Sequence, residues 1–259
     1  MEQHLSSTRE EALTLLRRGT PNREVSDLLG VPRGTVGWWR YEDRRALGEL
    51  FERTHDCPRC STQEVDGPWY AYLLGLYLGD GHIIRKPKQN HLSVFCDLKW
   101  PGLIDAAEEA MRCVMRMPSI HRRVRNGCAE VKSVSTHWPC LFPQHGPGKK
   151  HDRLIALEPW QQEIVDAHPW ELIRGLIHSD GCRITNWTTR MVGGERKRYE
   201  YPRYFFTNKS DDIRRIFTDT LRRVGVEWTV LARGHDPFNV SIARRASVAL
   251  MDAHVGPKY

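Results

Sequence analysis

Two stretches of the chain combine helical length with a high density of apolar residues, and both end in Asp-Gly. The first extends from Tyr70 to Gly81 and the second from Glu171 to Gly181. This pattern predicts two buried helices, each ended by its glycine in the left-handed conformation that commonly closes a helix. The two Asp-Gly pairs are 100 residues apart, so the sequence indicates two related halves.

Small residues recur on one face of each predicted helix. Gly75 and Gly79 are four positions apart in the first helix, and Gly175 and Ser179 occupy the same positions in the second. Residues with this spacing share a helix face, and small side chains there let two helix backbones approach closely. Because a glycine inside a helix costs about 1 kcal/mol, its recurrence favours a packing role. We therefore expect the two helices to pack against each other.

Such packing would bring Asp80 and Asp180 together at the C-terminal ends of the two helices. Two carboxylates there repel each other and face the negative end of both helix dipoles. A divalent cation relieves both effects, and a site made of carboxylates alone suits Mg²⁺ or Ca²⁺. The sequence thus predicts Asp80 and Asp180 as ligands of a divalent cation, with Mg²⁺ as the expected ion.

The segments that follow each motif copy alternate in polarity and contain turn signals, which predicts strand pairs separated by helices. Asn126-Gly127 is the strongest hairpin signal in the chain, and residues 190–198 are expected to form a basic loop. The order helix–strand–strand–helix–strand–strand–helix is predicted twice. After the motif helices, the elements are expected at residues 82–85, 91–98, 101–117, 119–124, 128–136 and 138–142, and then at 182–189, 199–207, 210–225, 226–232, 238–243 and 246–254.

These residues resemble the LAGLIDADG homing endonuclease family in its single-chain, two-repeat form, with Leu73–Gly81 and Ile173–Gly181 as the motif copies. The resemblance covers about three quarters of the chain. It implies an α+β saddle with pseudo-twofold αββαββα symmetry, whose central interface is made by the motif helices. It also implies that Asp80 and Asp180 bind the catalytic metal.

The same resemblance implies a lysine near the scissile phosphate, after the helix that closes a repeat. Lys150, or its neighbour Lys149, occupies that point in the first half, where it could stabilise charge at the phosphate or simply contact it. In the second half, residues 243–245 stand there without a lysine, so we expect an asymmetric site. The family also places polar groups of the metal shell at the ends of the second strands, where Asp97 and Asn208 are found.

The first 45 residues predict a separate three-helix unit, with helices at residues 8–18, 23–29 and 33–41. The pattern resembles a helix-turn-helix DNA-binding domain of the resolvase or transposase type. The resemblance implies that the third helix contacts DNA through Arg33, Thr35, Trp38 and Arg40. A generic three-helix subdomain is the alternative, and the charge balance of residues 1–55 favours it. The expected domain limits are 1–45 for the helix-turn-helix unit, 46–66 for a linker and 67–259 for the saddle, with repeats at 67–150 and 168–259.

The chain is basic, with a net charge of +7 and a pI of about 9.1, which favours a polyanionic partner. Residues 112–153 contain nine basic and two acidic residues, so the excess is concentrated there. Double-stranded DNA fits both this charge and the predicted hairpins, because its major groove admits a two-stranded ribbon. The candidate DNA contacts of the saddle are Arg85, Lys88, Arg122, Arg123, Arg125, Lys132, Lys149, Arg183, Arg190, Arg203 and Arg244.

Cys57-x-x-Cys60 in the predicted linker is half of a typical zinc site. Cys140 with a nearby histidine, His137 or His145, could complete it and attach the linker to the first repeat. Reduced cysteines without a metal are the alternative. Zn²⁺ is therefore a second candidate metal, held by Cys57 and Cys60.

Composition also indicates where the chain acts. No apolar run reaches the ~18 residues that a membrane span needs, and seven cysteines without an export signal favour a reducing cytoplasm. We expect a cytoplasmic, nucleoid-associated monomer without membrane contact.

Two functions fit these residues. The first is a Mg²⁺-dependent endonuclease that cleaves double-stranded DNA at specific sites, and the two motif aspartates favour it. The second is a transcriptional regulator whose saddle binds DNA without cutting it. A helix-turn-helix unit fused to such a saddle resembles a family of bacterial sporulation regulators, although the order of the domains differs, and the N-terminal unit favours this alternative.

Overall fold

The computed structural model describes residues 6–49, 57–61, 63–87, 89–115, 119–233 and 236–259. The candidate DNA contact Lys88 lies outside these residues. The chain divides into two compact units, Met1–His55 and Asp56–Tyr259.

The first unit contains the three predicted helices, α1 (Ser6–Arg17), α2 (Asn22–Leu29) and α3 (Arg33–Ala46). Gly30 adopts a left-handed conformation, with φ of 63°, and ends α2. Because only glycine takes this conformation at little cost, the chain can turn sharply into α3. The helices bury a small core made of Ala12, Leu16, Val25, Val31, Val36 and Trp39.

The second unit repeats one order of elements, as the sequence predicts. The first repeat contains α4 (Gly67–Leu78), β1 (Gly81–Lys86), β2 (Gln89–Asp97), α5 (Pro101–Val114), β3 (Ser119–Arg125), β4 (Cys128–Ser135) and α6 (Trp138–Leu141). After α7 (Pro159–Ala167), the second repeat contains α8 (Pro169–Asp180), β5 (Gly181–Val192), β6 (Glu195–Thr207), α9 (Asp211–Arg223), β7 (Thr229–Arg233), β8 (Asp236–Ile242) and α10 (Arg245–His254). The fold is therefore mixed α+β.

Each repeat forms one four-stranded antiparallel sheet, and the two sheets share one topology. The strand orders are β1-β2-β4-β3 and β5-β6-β8-β7. The registers also correspond, because Gly81 pairs with Val94 in the first sheet and Gly181 pairs with Phe206 in the second. This correspondence identifies equivalent positions in the two repeats.

Two tight turns connect hairpin strands through pairs of residues with positive φ. Asn126 and Gly127 connect β3 to β4, with φ of 34° and 82°, as the sequence predicts. Gly193 and Gly194 connect β5 to β6, with φ of 60° and 83°. The expected basic loop at residues 190–198 is therefore wrong. These residues continue the hairpin, because two consecutive glycines allow the turn to be this short.

The connection between the repeats contains a helix, α7. A capping box starts this helix: the Glu158 side chain accepts from the backbone at the third helical position, and Gln161 at that position accepts from the Glu158 backbone N–H. Gln161 is buried and donates to the Tyr70 hydroxyl over 2.6 Å. The helix thus packs against α4 and belongs to the core.

One continuous hydrophobic core joins both repeats, and α4 is at its centre. Every residue from Tyr70 to Leu78 is buried, so the apolar density of this stretch is explained by contacts on all sides. No helix in the described ranges is both long and apolar enough to cross a membrane.

Candidate functional site: a carboxylate pair at the ends of two packed helices

The motif helices α4 and α8 pack with their backbones in direct contact at the paired glycines. A Cβ atom added to Gly75 would lie 2.6 Å from the carbonyl oxygen of Leu172, and one added to Gly175 would overlap the carbonyl oxygen of Tyr72. Both distances are far below van der Waals contact. The two glycines are therefore required for the approach, as the sequence predicts.

The next turn of the interface pairs Gly79 with Ser179. A Cβ atom on Gly79 would overlap the Ser179 side chain. The Ser179 hydroxyl lies 3.0 Å from the carbonyl oxygens of Gly175 and Leu176, and 3.4 Å from that of Gly75 across the interface. The serine thus fills the space opposite Gly79 while keeping its own polar group satisfied.

Gly81 and Gly181 do not adopt the expected left-handed conformation. Neither has a positive φ, and Gly181 is extended, with φ of −111° and ψ of 175°. Each is the first residue of a strand. A Cβ atom would lie 2.6 Å from the Tyr77 Cα at Gly81 and 2.7 Å from the Ile177 Cα at Gly181. These glycines are needed because the strand folds back tightly onto its helix.

Asp80 and Asp180 follow directly from this packing and lie beside each other. The Asp180 Oδ2 atom would be only 3.2 Å from a Cβ atom on Gly79, the residue before Asp80. Burial and, next in size, the negative charge of Asp80 together raise the pKa of Asp180 to about 6. Loss of hydration also raises the pKa of Asp80, although solvent reaches this side chain, and exposure limits the effect.

The two aspartates have different neighbours near the end of the second strand of each repeat. The Asn208 amide donates to Asp180 Oδ2 over 2.6 Å, which favours the charged carboxylate. The register of the sheets makes Cys96 the equivalent residue in the first repeat. Cys96 is buried; burial and the charge of Asp80 raise the pKa of its thiol to about 12. Asp97, expected near the metal, instead accepts from the Lys99 backbone N–H over 2.9 Å.

Lys150 lies at the end of α4. Its Nζ atom donates to three consecutive carbonyl oxygens, those of Tyr77, Leu78 and Gly79, the last two over 3.0 and 2.7 Å. Burial lowers the pKa of Lys150 and the charges of Asp180 and Asp80 partly oppose this, which leaves it at about 8. The ammonium therefore counters both the negative end of the helix dipole and the charge of the two carboxylates.

A second lysine occupies the same place in the second repeat. Lys258 donates from Nζ to the carbonyl oxygen of Ser179 over 2.9 Å, at the end of α8. Burial lowers its pKa, and the charges of Asp80 and Asp180 oppose that shift. The expectation of a site with one lysine is therefore wrong. The relevant position follows α10, and Gly256-Pro257-Lys258 there parallels Gly146-Pro147 before Lys150, a signal present in the sequence.

The loop that carries Lys150 is organised by Arg153. Its Nη1 atom donates to the carbonyl oxygens of Gly146, Pro147 and Gly148 over 2.6 to 3.1 Å. Lys149 is exposed on the same loop. Of the two lysines considered from the sequence, Lys150 is therefore the one whose charge interacts with the two carboxylates.

Each sheet has a helix-covered face and an open face. The helix-covered face buries Leu92, Val94 and Val131 in the first sheet, and Tyr204, Phe206 and Val240 in the second. Because successive strand residues point to opposite faces, the register shows for each basic strand residue whether it lies on the helix-covered or the open face. The candidates on the open faces are Arg123, Arg125, Lys132, Arg190 and Arg203.

Four candidate DNA contacts are not on an open face. Arg122 forms ion pairs with Asp105 and Glu108 of α5, at 2.8 and 2.5 Å. Arg183 forms a bidentate pair with Asp252 of α10, at 2.6 and 2.9 Å. The sites of Arg85 and Arg244 also differ from the prediction: Arg85 is on the helix-covered face, and Arg244, outside the strands, pairs with Glu227. The number of basic residues along a hairpin does not show which of them face the helices, because successive strand residues point to opposite faces.

In the first unit, three of the four candidate residues of α3 are exposed to solvent. Arg33, Trp38 and Arg40 are exposed, and Thr35 is half-buried. The Trp38 and Tyr41 rings stack with centroids 5.7 Å apart, and Arg40 donates to the Asn22 side chain over 3.0 Å.

The chain was compared with known proteins. No protein-family model matches it, and no curated protein matches it. Solved structures do: I-DmoI in complex with DNA and Ca is 15% identical, with a TM-score of 0.45, over 74% of this chain and 91% of that one. The homing endonuclease I-WcaI bound to its DNA recognition sequence is 12% identical, with a TM-score of 0.46, over 74% and 82%.

The N-terminal LAGLIDADG domain of WhiA is also similar, at 11% identity and a TM-score of 0.44, over 74% of this chain and 83% of that one. The structural neighbours of this chain are thus single-chain LAGLIDADG homing endonucleases and the LAGLIDADG domain of WhiA.

Proposed function

We propose that the second unit is a divalent-cation-dependent endonuclease of double-stranded DNA, with Asp80 and Asp180 as its metal ligands. One observation carries the proposal: two helices without a single side chain between their glycines bring two carboxylates together. Such an arrangement is electrostatically unfavourable by itself, because like charges and two helix ends meet. A fold that places a carboxylate at each of these two equivalent positions, despite the electrostatic cost, supports a role for the pair in binding a cation.

The residues fit a hard cation. The ligand set is made of carboxylate oxygens, which suit Mg²⁺. The pKa of both carboxyls is raised although two ammonium groups are close, so the positive charge already present does not offset burial at Asp80, or burial and the charge of Asp80 at Asp180. When bound, the ion would supply positive charge against the phosphate of a DNA strand.

The protein's own groups have distinct roles in this proposal. Asp80 and Asp180 hold the cation, and Asn208 orients Asp180. Lys150 and Lys258 neutralise the carboxylates and the helix ends. The three N–H groups of Lys150 all donate to backbone carbonyls, so its contribution is electrostatic, and direct contact with a phosphate would require one of these bonds to break.

DNA would lie against the open faces of the two sheets. We infer this from the exposed basic residues of these faces, Arg123, Arg125 and Arg190, with Lys132 and Arg203 nearer the sheet centres. Both carboxylates come from one chain, so a monomer suffices. The exposed side of α3, with Arg33 and Arg40, would provide a second, helix-turn-helix contact with DNA.

Cleavage can be tested without knowing the target sequence. A plasmid that carries the genomic neighbourhood of the gene is incubated with the protein in Mg²⁺ or in excess chelator. We expect specific nicks or breaks that require Mg²⁺. Asp80→Asn and Asp180→Asn should each lower the rate by about 100-fold or more. Asp219→Asn changes a half-buried carboxylate on α9 that pairs with Arg222, and this variant should cut like the wild type.

Two outcomes would contradict the proposal. Wild-type rates in both asparagine variants would remove the carboxylate pair from the chemistry. A protected footprint without cleavage, at any divalent cation, would instead identify a regulator that uses the saddle only to bind DNA.

A further inference from the structure

Three cysteines and a histidine converge on the surface of the first repeat, and the proposed nuclease site uses none of them. Cys57 and Cys60 precede α4, whereas His137 and Cys140 lie at the start of α6. Their ligand atoms all lie within 4.8 Å of one another. Cys57 is buried, and the other three residues are half-buried or exposed.

The distances agree with a tetrahedral metal centre. The Cys60 and Cys140 sulfurs are 3.6 Å apart, and His137 Nδ1 lies 3.4 and 3.8 Å from these two sulfurs. Zinc bond lengths of about 2.3 Å to sulfur and about 2.0–2.1 Å to nitrogen predict edges of about 3.8 Å between sulfurs and about 3.6 Å between sulfur and nitrogen. The three distances among Cys60, His137 and Cys140 are therefore within a few tenths of an ångström of these edges, and the distances to Cys57 are at most 4.8 Å.

The local backbone explains how each pair is placed. The Cys60 and Ser61 N–H groups both donate to the Cys57 carbonyl over 3.1 Å, so a tight turn brings the two thiols together. The Cys140 N–H donates to the His137 carbonyl over 2.9 Å, and this single turn aligns His137 with Cys140. Both pairs have a spacing of three residues, which is frequent in zinc sites.

We propose that Cys57, Cys60, His137 and Cys140 bind one structural Zn²⁺ ion. Thiolates and imidazole select zinc over Mg²⁺, because they are softer ligands than carboxylates. Four protein ligands leave no open position, which is the arrangement of structural zinc sites rather than catalytic ones. The ion connects the segment before α4 to the junction between β4 and α6, since Cys60 and His137 are 77 positions apart in the chain.

This connection has a defined consequence for the fold. Residues 57–61 are joined to the first repeat only a few residues before Asp66, whose side chain caps α4 by accepting from the Trp69 N–H over 3.1 Å. Because the unfolded chain lacks a preformed site, the free energy of zinc binding adds to the stability of the folded unit. The metal thus stabilises the start of the motif helix and the end of the first repeat together.

The experiment uses the full chain, purified under reducing conditions without chelator and without a metal-affinity column. We expect about one zinc ion per chain by elemental analysis, and a thermal midpoint that falls by about 5–10 °C after removal by a strong chelator. Added Zn²⁺ should restore the midpoint, whereas Mg²⁺ should not. Cobalt in place of zinc should give the thiolate-to-metal absorption that carboxylate sites lack.

Variants locate the site. Cys60→Ser and Cys140→Ser should lose zinc, whereas Cys113→Ser, a thiol on α5 outside the cluster, should keep it. Asp80→Asn should also keep its zinc, so failure of the nuclease proposal would not affect this one. If a cysteine variant does not fold, the chelator and cobalt measurements on the wild type decide.

Two results would overturn the proposal. One is less than a tenth of an equivalent of zinc together with a midpoint unchanged by chelator and by added Zn²⁺. The other is a disulfide between Cys60 and Cys140 that persists under reducing conditions, since it would remove two of the four ligands.

Discussion

Asp80 and Asp180 end equivalent helices, but the residue across from each aspartate differs between the repeats. Asn208 donates to Asp180 over 2.6 Å, whereas Cys96 is at the equivalent position near Asp80. Lys150 donates to three carbonyl oxygens, and Lys258 to one. The backbone symmetry thus fixes where the acids are, while individual neighbours decide how strongly each is perturbed.

The hairpins differ in the same way. β1 and β2 pair over 6 positions, whereas β5 and β6 pair over 12. The longer hairpin of β5 and β6 carries basic residues beyond the rest of the second sheet, and the first repeat has no hairpin of this length in the described residues. A twofold fold can therefore present an unequal surface to DNA, and this asymmetry is expected to favour a target whose two halves differ.

The largest expected effect comes from breaking what the two repeats share. Gly75→Ala and Gly175→Ala each place a methyl group against the backbone of the partner helix, which cannot move away without separating α4 from α8. Each should destabilise the second unit by about 3 kcal/mol or more, measured by denaturant unfolding. Gly146→Ala, whose Cβ atom would meet nothing closer than 3.6 Å, is the control. Equal stability of all three variants would contradict the packing.

The next largest effect is the pH dependence of stability caused by the two lysines, Lys150 and Lys258. The pKa of Lys150 is lowered to about 8 from 10.5. Between these values the unfolded chain binds more protons, so stability rises with pH over this window. Relative to Lys150→Met, the wild type should gain about 1–2 kcal/mol from pH 8 to pH 10.5, after allowance for solvent screening.

The corresponding gain relative to Lys258→Met should be smaller, because Lys258 is less deeply buried than Lys150 and loses less hydration. Parallel urea titrations at several pH values measure both. An equal gain in stability at the two positions would mean that folding lowers the pKa of Lys150 and Lys258 by the same amount.

The third prediction concerns the aspartates without a metal. The pKa of Asp180 is raised from 3.8 to about 6, so the folded state binds more protons in this window and stability falls as pH rises through it. Asp180→Asn should remove this fall and be more stable than the wild type at pH 7 by about 1–2 kcal/mol. At pH 4 the two proteins should be nearly equal.

Asp80→Asn should show the same sign with a smaller size, because Asp80 is exposed. Mg²⁺ should stabilise the wild type more than either variant, which thermal unfolding with and without the ion would show. A loss of stability in Asp180→Asn at pH 7 would indicate a structural role for its carboxylate.

The smallest expected effect is on the salt dependence of DNA binding, which should differ between arginines on the two faces of the first sheet. Arg123→Ala with Arg125→Ala should lower the salt dependence of DNA binding by about one unit per lost phosphate contact. Arg122→Ala should leave this slope unchanged and lower stability by under about 1 kcal/mol, because its ion pairs with α5 are exposed. A changed slope in Arg122→Ala would mean that DNA reaches the helix-covered face.

The sequence by itself determined the repeated part of this protein. The two apolar stretches, the glycines at matched positions and the Asn126-Gly127 turn are local signals, and each constrains the backbone wherever it occurs. They predict the order of elements, the contact between α4 and α8, and the meeting of Asp80 with Asp180, all of which the structure contains.

The tertiary structure alone decided which side chains surround the pair. Lys258 reaches Ser179 from the chain end, and Cys96 rather than Asp97 matches Asn208. Likewise, α5 and α10 engage Arg122 and Arg183 that a count of charges assigns to DNA. These contacts join residues far apart in the chain. Strand register and helix placement set them, and a local pattern does not contain that information.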